Sequence, residues 1–285
     1  MWTATGKRLD CTQRGADREP SYAARMPSIV AAGTVIIAVG DEILSGHTLD
    51  TNSHLLARLA FAAGLPARRI EVVGDELVAI GAAVRRALDE PEVNRIAVCG
   101  GIGPTPDDRT FEAVALALDL PLELNAEAFE HIALLTHRMF EAGWIERDEV
   151  SEANRRSALV PAGATALPNR RGMAPPLAIA LDGDDRWLFV LPGVPREFSA
   201  IVEEELMPRY FSGGRPVVVS EVRYQSVPEA EMYQPMRTLE REFPDVAAGS
   251  YPHMDRRELV IRLRGYDPQR VDAAAARLRE LRSDV

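Results

Sequence analysis

The sequence predicts an α/β protein: a three-layer αβα domain on a mostly parallel sheet, followed by a small α+β module. Three observations carry this. Gly33–Val39, Arg69–Val73 and Arg95–Cys99 are short strand-like runs, each followed by a loop and a helical run. Such units in series build a parallel sheet covered on both faces. Each loop also carries an aspartate just past its strand: Asp41, Asp75, and the adjacent pair Asp107 and Asp108. After Gly213 and Gly214 the composition shifts, and a β-α-β-β-α order follows.

In chain order, residues 1–32 lack sustained periodicity and read as a mobile leader, with Met26 a candidate natural start. Gly33–Val39 is continuously apolar and β-branched, as a central parallel strand should be. Asp50-Thr51-Asn52-Ser53 opens a helix with Leu55, Leu56, Leu59 and Ala60 on its inner face. Gly64-Leu65-Pro66 ends it. A second strand and a helix to about Leu88 follow, then the third strand. Residues 126–160 read as helical, first through Phe129, Ile132, Leu135 and Met139, then from Val150 to Leu159. His131 and His137 lie here six apart, too far round a helix to share a zinc, and read as surface or packing residues. Pro168–Pro176 is a rigid loop carrying Arg170 and Arg171. Leu177–Leu181 and Trp187–Leu191 read as a hairpin, and Pro192-Gly193-Val194-Pro195 as a tight turn into another helix. In the last module, Val217–Val227, Val246–Tyr251 and Glu258–Arg264 read as strands, and Glu229–Phe243 and Pro268–Leu281 as helices.

The most telling stretch runs from Val98 to Thr110, a glycine-rich turn between strand and helix: Gly100-Gly101-Ile102-Gly103-Pro104-Thr105-Pro106-Asp107-Asp108. Glycines let a backbone approach a ligand closely, and the first amides of a helix lack intrahelical partners. A bare phosphate would be repelled by Asp107 and Asp108, so the loop suggests phosphate bridged to carboxylate by a divalent metal. Ordinary architecture is the competing reading: Asp75 as a helix N-cap and Asp41 closing an Asx-turn.

Net charge of −10 argues against a general nucleic-acid surface, and no apolar run reaches the roughly 18 residues of a membrane span. Two cysteines, Cys11 and Cys99, indicate no disulfide framework. A cytoplasmic protein is expected. The last module has no Gly-x-x-Gly clamp, so KH-type RNA binding is not expected.

Taken together, Gly40–Gly46, Thr51-Asn52-Ser53, Val73-Gly74-Asp75, Gly100–Thr110, Pro168-Asn169 and Leu191–Pro195 resemble the CinA (competence/damage-inducible) family. More broadly they resemble the molybdopterin-binding domain shared with MoaB/Mog-type proteins and FAD synthase. The resemblance spans 33–208, and residues 215–285 resemble the small KH-like domain that follows it in CinA proteins. It implies a three-layer α/β domain and a metal-dependent pyrophosphatase acting on ADP-ribose-like dinucleotides. Asp108 and Asp75, with Asp41, are then expected to hold a divalent metal (Mg, Mn or Co) and to be catalytic. Gly100, Gly101 and Gly103 would offer backbone amides to the phosphates. Ser45, Asn52, Thr105, Asp107, Asn169, Pro192 and Gly193 would contact substrate, and Arg170 or Arg171 would neutralise the leaving phosphate. The same site suits molybdopterin as a ligand, with adenylyl transfer to it, or a non-catalytic nucleotide-binding regulator. Relatives imply a homo-oligomer. Two departures stand out: the sequence given ends at Val285 without an amidohydrolase domain, and Pro176 replaces a common Gly.

Overall fold

The computed structural model describes residues 32–182 and 185–282. The expectations for the leader, Met26 and Cys11 lie outside the described residues, as do Gly183 and Asp184 of the hairpin turn.

The first strand, β1 (Gly33–Val39), is buried along its whole length. A one-turn helix α1 (Asp41–Leu44) follows where a loop is expected, then α2 (Thr51–Ala62), whose N-cap Asp50 accepts from the Ser53 amide at 2.9 Å. The next elements are β2 (Ala67–Val73), α3 (Leu77–Leu88), β3 (Val93–Cys99) and α4 (Thr110–Ala117). A small separate ladder pairs β4 (Leu122–Leu124) with β5 (Leu159–Pro161), antiparallel, around α5 (Ala126–Glu141) and α6 (Glu152–Arg156). This corrects the expected helix over Val150–Leu159. Ser151 caps only five helical residues, and Leu159-Val160-Pro161 turns extended, since Val160 is β-branched and Pro161 cannot continue a helix.

The main sheet is completed by β6 (Thr165–Ala166), β7 (Leu177–Ala180) and β8 (Trp187–Leu191), in the order β2-β1-β3-β8-β7-β6. β2, β1, β3 and β8 run parallel, β7 antiparallel to β8, and β6 antiparallel to β7. Alternation along β1 divides two cores. Val35, Ile37 and Val39 face Ile80 and Val84 of α3 and Phe111 and Val114 of α4. Ile36 faces Leu56 and Ala60 of α2 and Phe198 and Ile201 of α7 (Pro195–Ile201). Both faces are therefore covered, the αβα arrangement expected. The helix continues from α7 through a π-type turn, Val202–Leu206, into α8 (Met207–Tyr210). Pro208 has no N–H for the Glu204 carbonyl, which accounts for the widening just before it.

Three antiparallel strands, in the order β10-β11-β9, make the second sheet: β9 (Val218–Gln225), β10 (Ala247–His253) and β11 (Glu258–Gly265). α9 (Tyr233–Glu242) and α10 (Pro268–Leu281) accompany them, with Val222, Ile261, Leu263, Val271 and Leu278 in a core of their own. The expected helix from Glu229 opens with one 3₁₀ turn, Glu229–Met232. No helix of the described residues is long and apolar enough to cross a membrane.

Candidate active site at the carboxyl ends of the strands

Because β1, β2, β3 and β8 are parallel, the loops after all four open on one edge of the sheet, where ligands bind in open α/β folds. Close approach of chains makes the glycines necessary. Gly100 has φ +109 and Gly101 φ +66. A Cβ on Gly100 would lie 2.3 Å from the Val39 carbonyl, and one on Gly101 2.5 Å from the Thr110 hydroxyl. The loop is then pinned by its own backbone. The Gly100 amide donates to the Leu191 carbonyl (2.9 Å), the Thr110 hydroxyl to the Gly100 carbonyl (2.8 Å), and the Thr110 amide to the Gly101 carbonyl (3.0 Å). Gly100 is thus a structural hinge whose amide is already engaged, a correction to its expected role. Residues 101–103 are the part of the loop with amides to offer.

The aspartates divide in a way adjacency could not reveal. Asp108 turns back into its own loop: Oδ2 accepts from the Thr105 amide (2.9 Å) and hydroxyl (2.6 Å), and its carbonyl accepts from Arg156 (2.9 Å). Thr105 is used in the same turn, so its expected substrate contact gives way to a bracing role. Asp75 instead reaches across the strand ends, its Oδ2 accepting from the Asp41 amide at 2.9 Å. It is no helix cap, since Glu76 holds the N-cap position of α3. Burial pushes the Asp75 carboxyl above its ordinary range; the Asp41 amide opposes this, while the charges of Asp41, Glu42 and Asp107 add to the rise. The Asp107 carboxyl is held below its usual range by the Thr105 side chain and its own backbone amide. Asp41 lies over Gly74, where a Cβ would come 2.5 Å from its Oδ1.

The structure therefore brings Asp75, Asp41 and Asp107 into one electrostatic field and adds Glu42, which the sequence reading passed over although it follows Asp41 directly. Asp108 is not among the charges acting on Asp75. Among the described residues no three His, Cys, Asp or Glu side chains converge to cage a metal by themselves. The donor set instead fits a hard cation of the Mg²⁺ kind, which takes one or two carboxylates and completes its shell with water and substrate phosphate. Thr105 engages Asp108 Oδ2 and also holds the Asp107 carboxyl down, so both acids of the loop are braced by the same residue.

Opposite lies the turn after β8. Asn52 donates to the Gly193 carbonyl at 2.8 Å, and a Cβ on Gly193 would sit 3.4 Å from the Gly100 Cα, so this turn and the glycine loop abut. Pro192 is buried and Gly193 exposed. Ser45 donates to the Glu42 carbonyl at 3.2 Å. Asn169 is 2% exposed and engaged on every side: its amide nitrogen donates to the Ala174 carbonyl and Glu197 Oε2 (both 2.9 Å), and its oxygen accepts from the Arg171 amide (3.1 Å). It is a strut of the 168–176 loop rather than a ligand contact, which corrects its assignment. Arg171 pairs with Glu204 at 3.3 Å, and Arg170 is exposed. His131 bonds the Gly172 carbonyl (3.0 Å) and His137 bonds Asp148 (2.8 Å), packing and surface roles as expected.

With this geometry in place, the matches to known proteins become specific. Residues 35–211 match the family described as "Probable molybdopterin binding domain". The chain belongs to the molybdopterin-binding domain family. Within it the chain is CinA-like. A CinA-like protein of Gemmatimonas aurantiaca is 37% identical over 61% of this chain and 38% of its own length. A Pyrococcus abyssi protein is 42% identical over 61% of this chain and 68% of its own. The crystal structure of CinA from Thermoplasma acidophilum, described as of unknown function, superposes with a TM-score of 0.55 at 30% identity, covering 64% of this chain and 99% of that one. Residues 217–284 match the middle domain of FAD synthase, so this member carries a FAD-synthase-like module after its molybdopterin-binding domain.

Proposed function

We propose that this molybdopterin-binding-family protein hydrolyses the phosphoanhydride of ADP-ribose-like dinucleotides in a divalent-metal-dependent reaction. The observation that carries the reading is the Asp75 cluster. A carboxylate raised first by its burial and then by three neighbouring carboxylates, beside a glycine loop with amides to offer, is poised for a cation that arrives with a phosphate. The bound ion would supply Lewis-acid polarisation and a more acidic water. The protein's own part is positional. Asp75 fixes α1 through the Asp41 amide and, with Asp107, marks the cation's place. Amides 101–103 face charge that develops on the phosphate, held rigid by Thr110 and Gly100. No histidine or cysteine stands in this cluster, which favours direct attack by water.

The test is AMP release from ADP-ribose, FAD and NAD with Mg²⁺, Mn²⁺ or Co²⁺, with Asp75→Asn beside the parent. Metal-dependent release that disappears in the variant supports the reading; equal release from both removes Asp75 from it. The family match favours a second reading, molybdopterin binding with adenylyl transfer at the same loops. Tight pterin binding without AMP release from any dinucleotide would select it.

A further inference from the structure

Gly103 and Asp108 belong to two surfaces at once. Besides the strand-end loop, they line a cleft of about 190 Å³ whose apolar walls are Ile102, Phe111, Leu122 and Leu159. Asp108, Glu112 and Arg156 supply its charge. One wall comes from the small β4–β5 ladder, in which Leu124 pairs with Leu159 and Leu122 with Pro161. Ile102 and Phe111 are 3% and 7% exposed, whereas Leu122 is left 38% exposed. We infer that this cleft seats the flat nitrogen heterobicycle of the substrate, a purine or pterin ring, while the phosphates lie along residues 101–103. The inference rests on the proposed reaction and names where its substrate is recognised.

Size, lining and connection support it. The volume is below the roughly 300–1,000 Å³ of sites that enclose a drug-sized ligand, so one ring system fits and a whole dinucleotide does not. Apolar walls suit the faces of an aromatic ring. The Arg156 guanidinium and the Glu112 carboxylate supply donors and acceptors for its edge, which in both purine and pterin alternates the two, while Asp108 Oδ2 is held by Thr105. Arg156 also donates to the Asp108 carbonyl at 2.9 Å. A ring held against Arg156 therefore bears directly on the loop that carries Asp107, linking recognition of the base to the charged cluster.

The experiment is calorimetric titration of adenosine, pterin and ribose 5-phosphate into the parent, Leu122→Trp and Glu112→Gln. Leu122 is exposed enough for Trp to be accommodated in the fold, and the indole would fill the cleft. Expected are ring binding by the parent, at least tenfold weaker in Leu122→Trp, with ribose 5-phosphate changed less than twofold. Glu112→Gln should shift the ratio of adenosine to pterin affinity, and that ratio in the parent identifies which ring is preferred. Ring affinities unchanged in both variants overturn the inference, as does a parent that binds neither ring. Ring binding lost in Leu122→Trp, together with no AMP release by the parent from any dinucleotide, would keep the cleft and remove the hydrolysis reading.

Discussion

The two halves of the molecule treat carboxylates in opposite ways. In the C-terminal module each acid with a displaced titration has an arginine. Glu221 meets Arg262 and Arg223, Glu242 meets Arg277, and Asp245 meets Arg270, and each of these carboxyls is held below its ordinary range chiefly by those hydrogen bonds. At the strand ends of the first domain the charges acting on Asp75 are those of Asp41, Glu42 and Asp107, and its carboxyl moves up, chiefly through burial and further through these like charges. The residue types are the same; the partners differ. Paired acids hold a surface together, whereas a cluster of like charges kept unneutralised costs stability and persists where something else supplies the opposite charge. The far end of the same sheet shows that the fold can neutralise buried charge where required. Arg95, 1% exposed, bonds the Tyr210 carbonyl at 2.6 Å and the Asp185 carboxylate at 2.7 and 2.8 Å.

The largest expected effect follows from removing one charge from the cluster. Asp75→Asn keeps an oxygen for the Asp41 amide and relieves repulsion, so the fold should be as stable at pH 7 as the parent or more so. Metal-dependent AMP release should fall by about 10²-fold or more, the scale seen when one preorganised electrostatic group is lost. Thermal melts and turnover on the same preparations check both halves. Loss of stability together with activity would mean that Asp75 is a structural acid like those of the C-terminal module.

How much of this contrast was legible beforehand depended on what sets each feature. Local signals sufficed for β1, where the apolar, mostly β-branched run Val35–Val39 marks a central strand, for the Asp50 cap of α2, and for α10, which begins at Pro268 and ends at Leu281 as expected. The β4–β5 ladder was not legible, because Leu122-Glu123-Leu124 is too short to show a period and its partner lies beyond a 16-residue helix. At the site, the aspartate-bearing loops were visible as spacing. Which of Asp107 and Asp108 bears on the Asp75 charge was not, because that depends on the folded turn around Thr105 rather than on residue type. Asn169 stood out as a motif residue, yet its burial between Ala174 and Glu197 is a tertiary fact.

An intermediate effect should appear in the pH dependence of stability. A carboxyl raised in the folded state binds its proton more tightly there than in the unfolded chain. Its contribution is fully present below the unfolded value near 3.8 and is lost as pH rises through the higher folded value. The parent should therefore lose stability relative to Asp75→Asn across that window and stay at or below it up to neutral pH. Saturating Mn²⁺ should raise the melting temperature of the parent at neutral pH and leave the variant nearly unmoved, since only the state that binds the ion gains. Equal metal shifts in both proteins would locate the ion away from Asp75.

The smallest effect belongs to the paired acids. Asp245 takes two hydrogen bonds from Arg270 Nε (2.9 and 3.2 Å) and one from Nη2 (2.7 Å), but both side chains remain well exposed, at 37% and 40%. Solvent screening limits such a pair to about 0–1 kcal/mol, so Asp245→Asn should lower stability at pH 7 by no more than that. Its sign in acid is opposite to that of Asp75. A depressed carboxyl contributes above the unfolded value near 3.8 and loses the contribution as pH falls through its lower folded value. Parent and Asp245→Asn melts should therefore converge at the acid end, while parent and Asp75→Asn diverge as pH rises through the Asp75 window. Stability that tracks Asp245 and Asp75 in the same direction would show that pairing with arginine is not what separates the two regions.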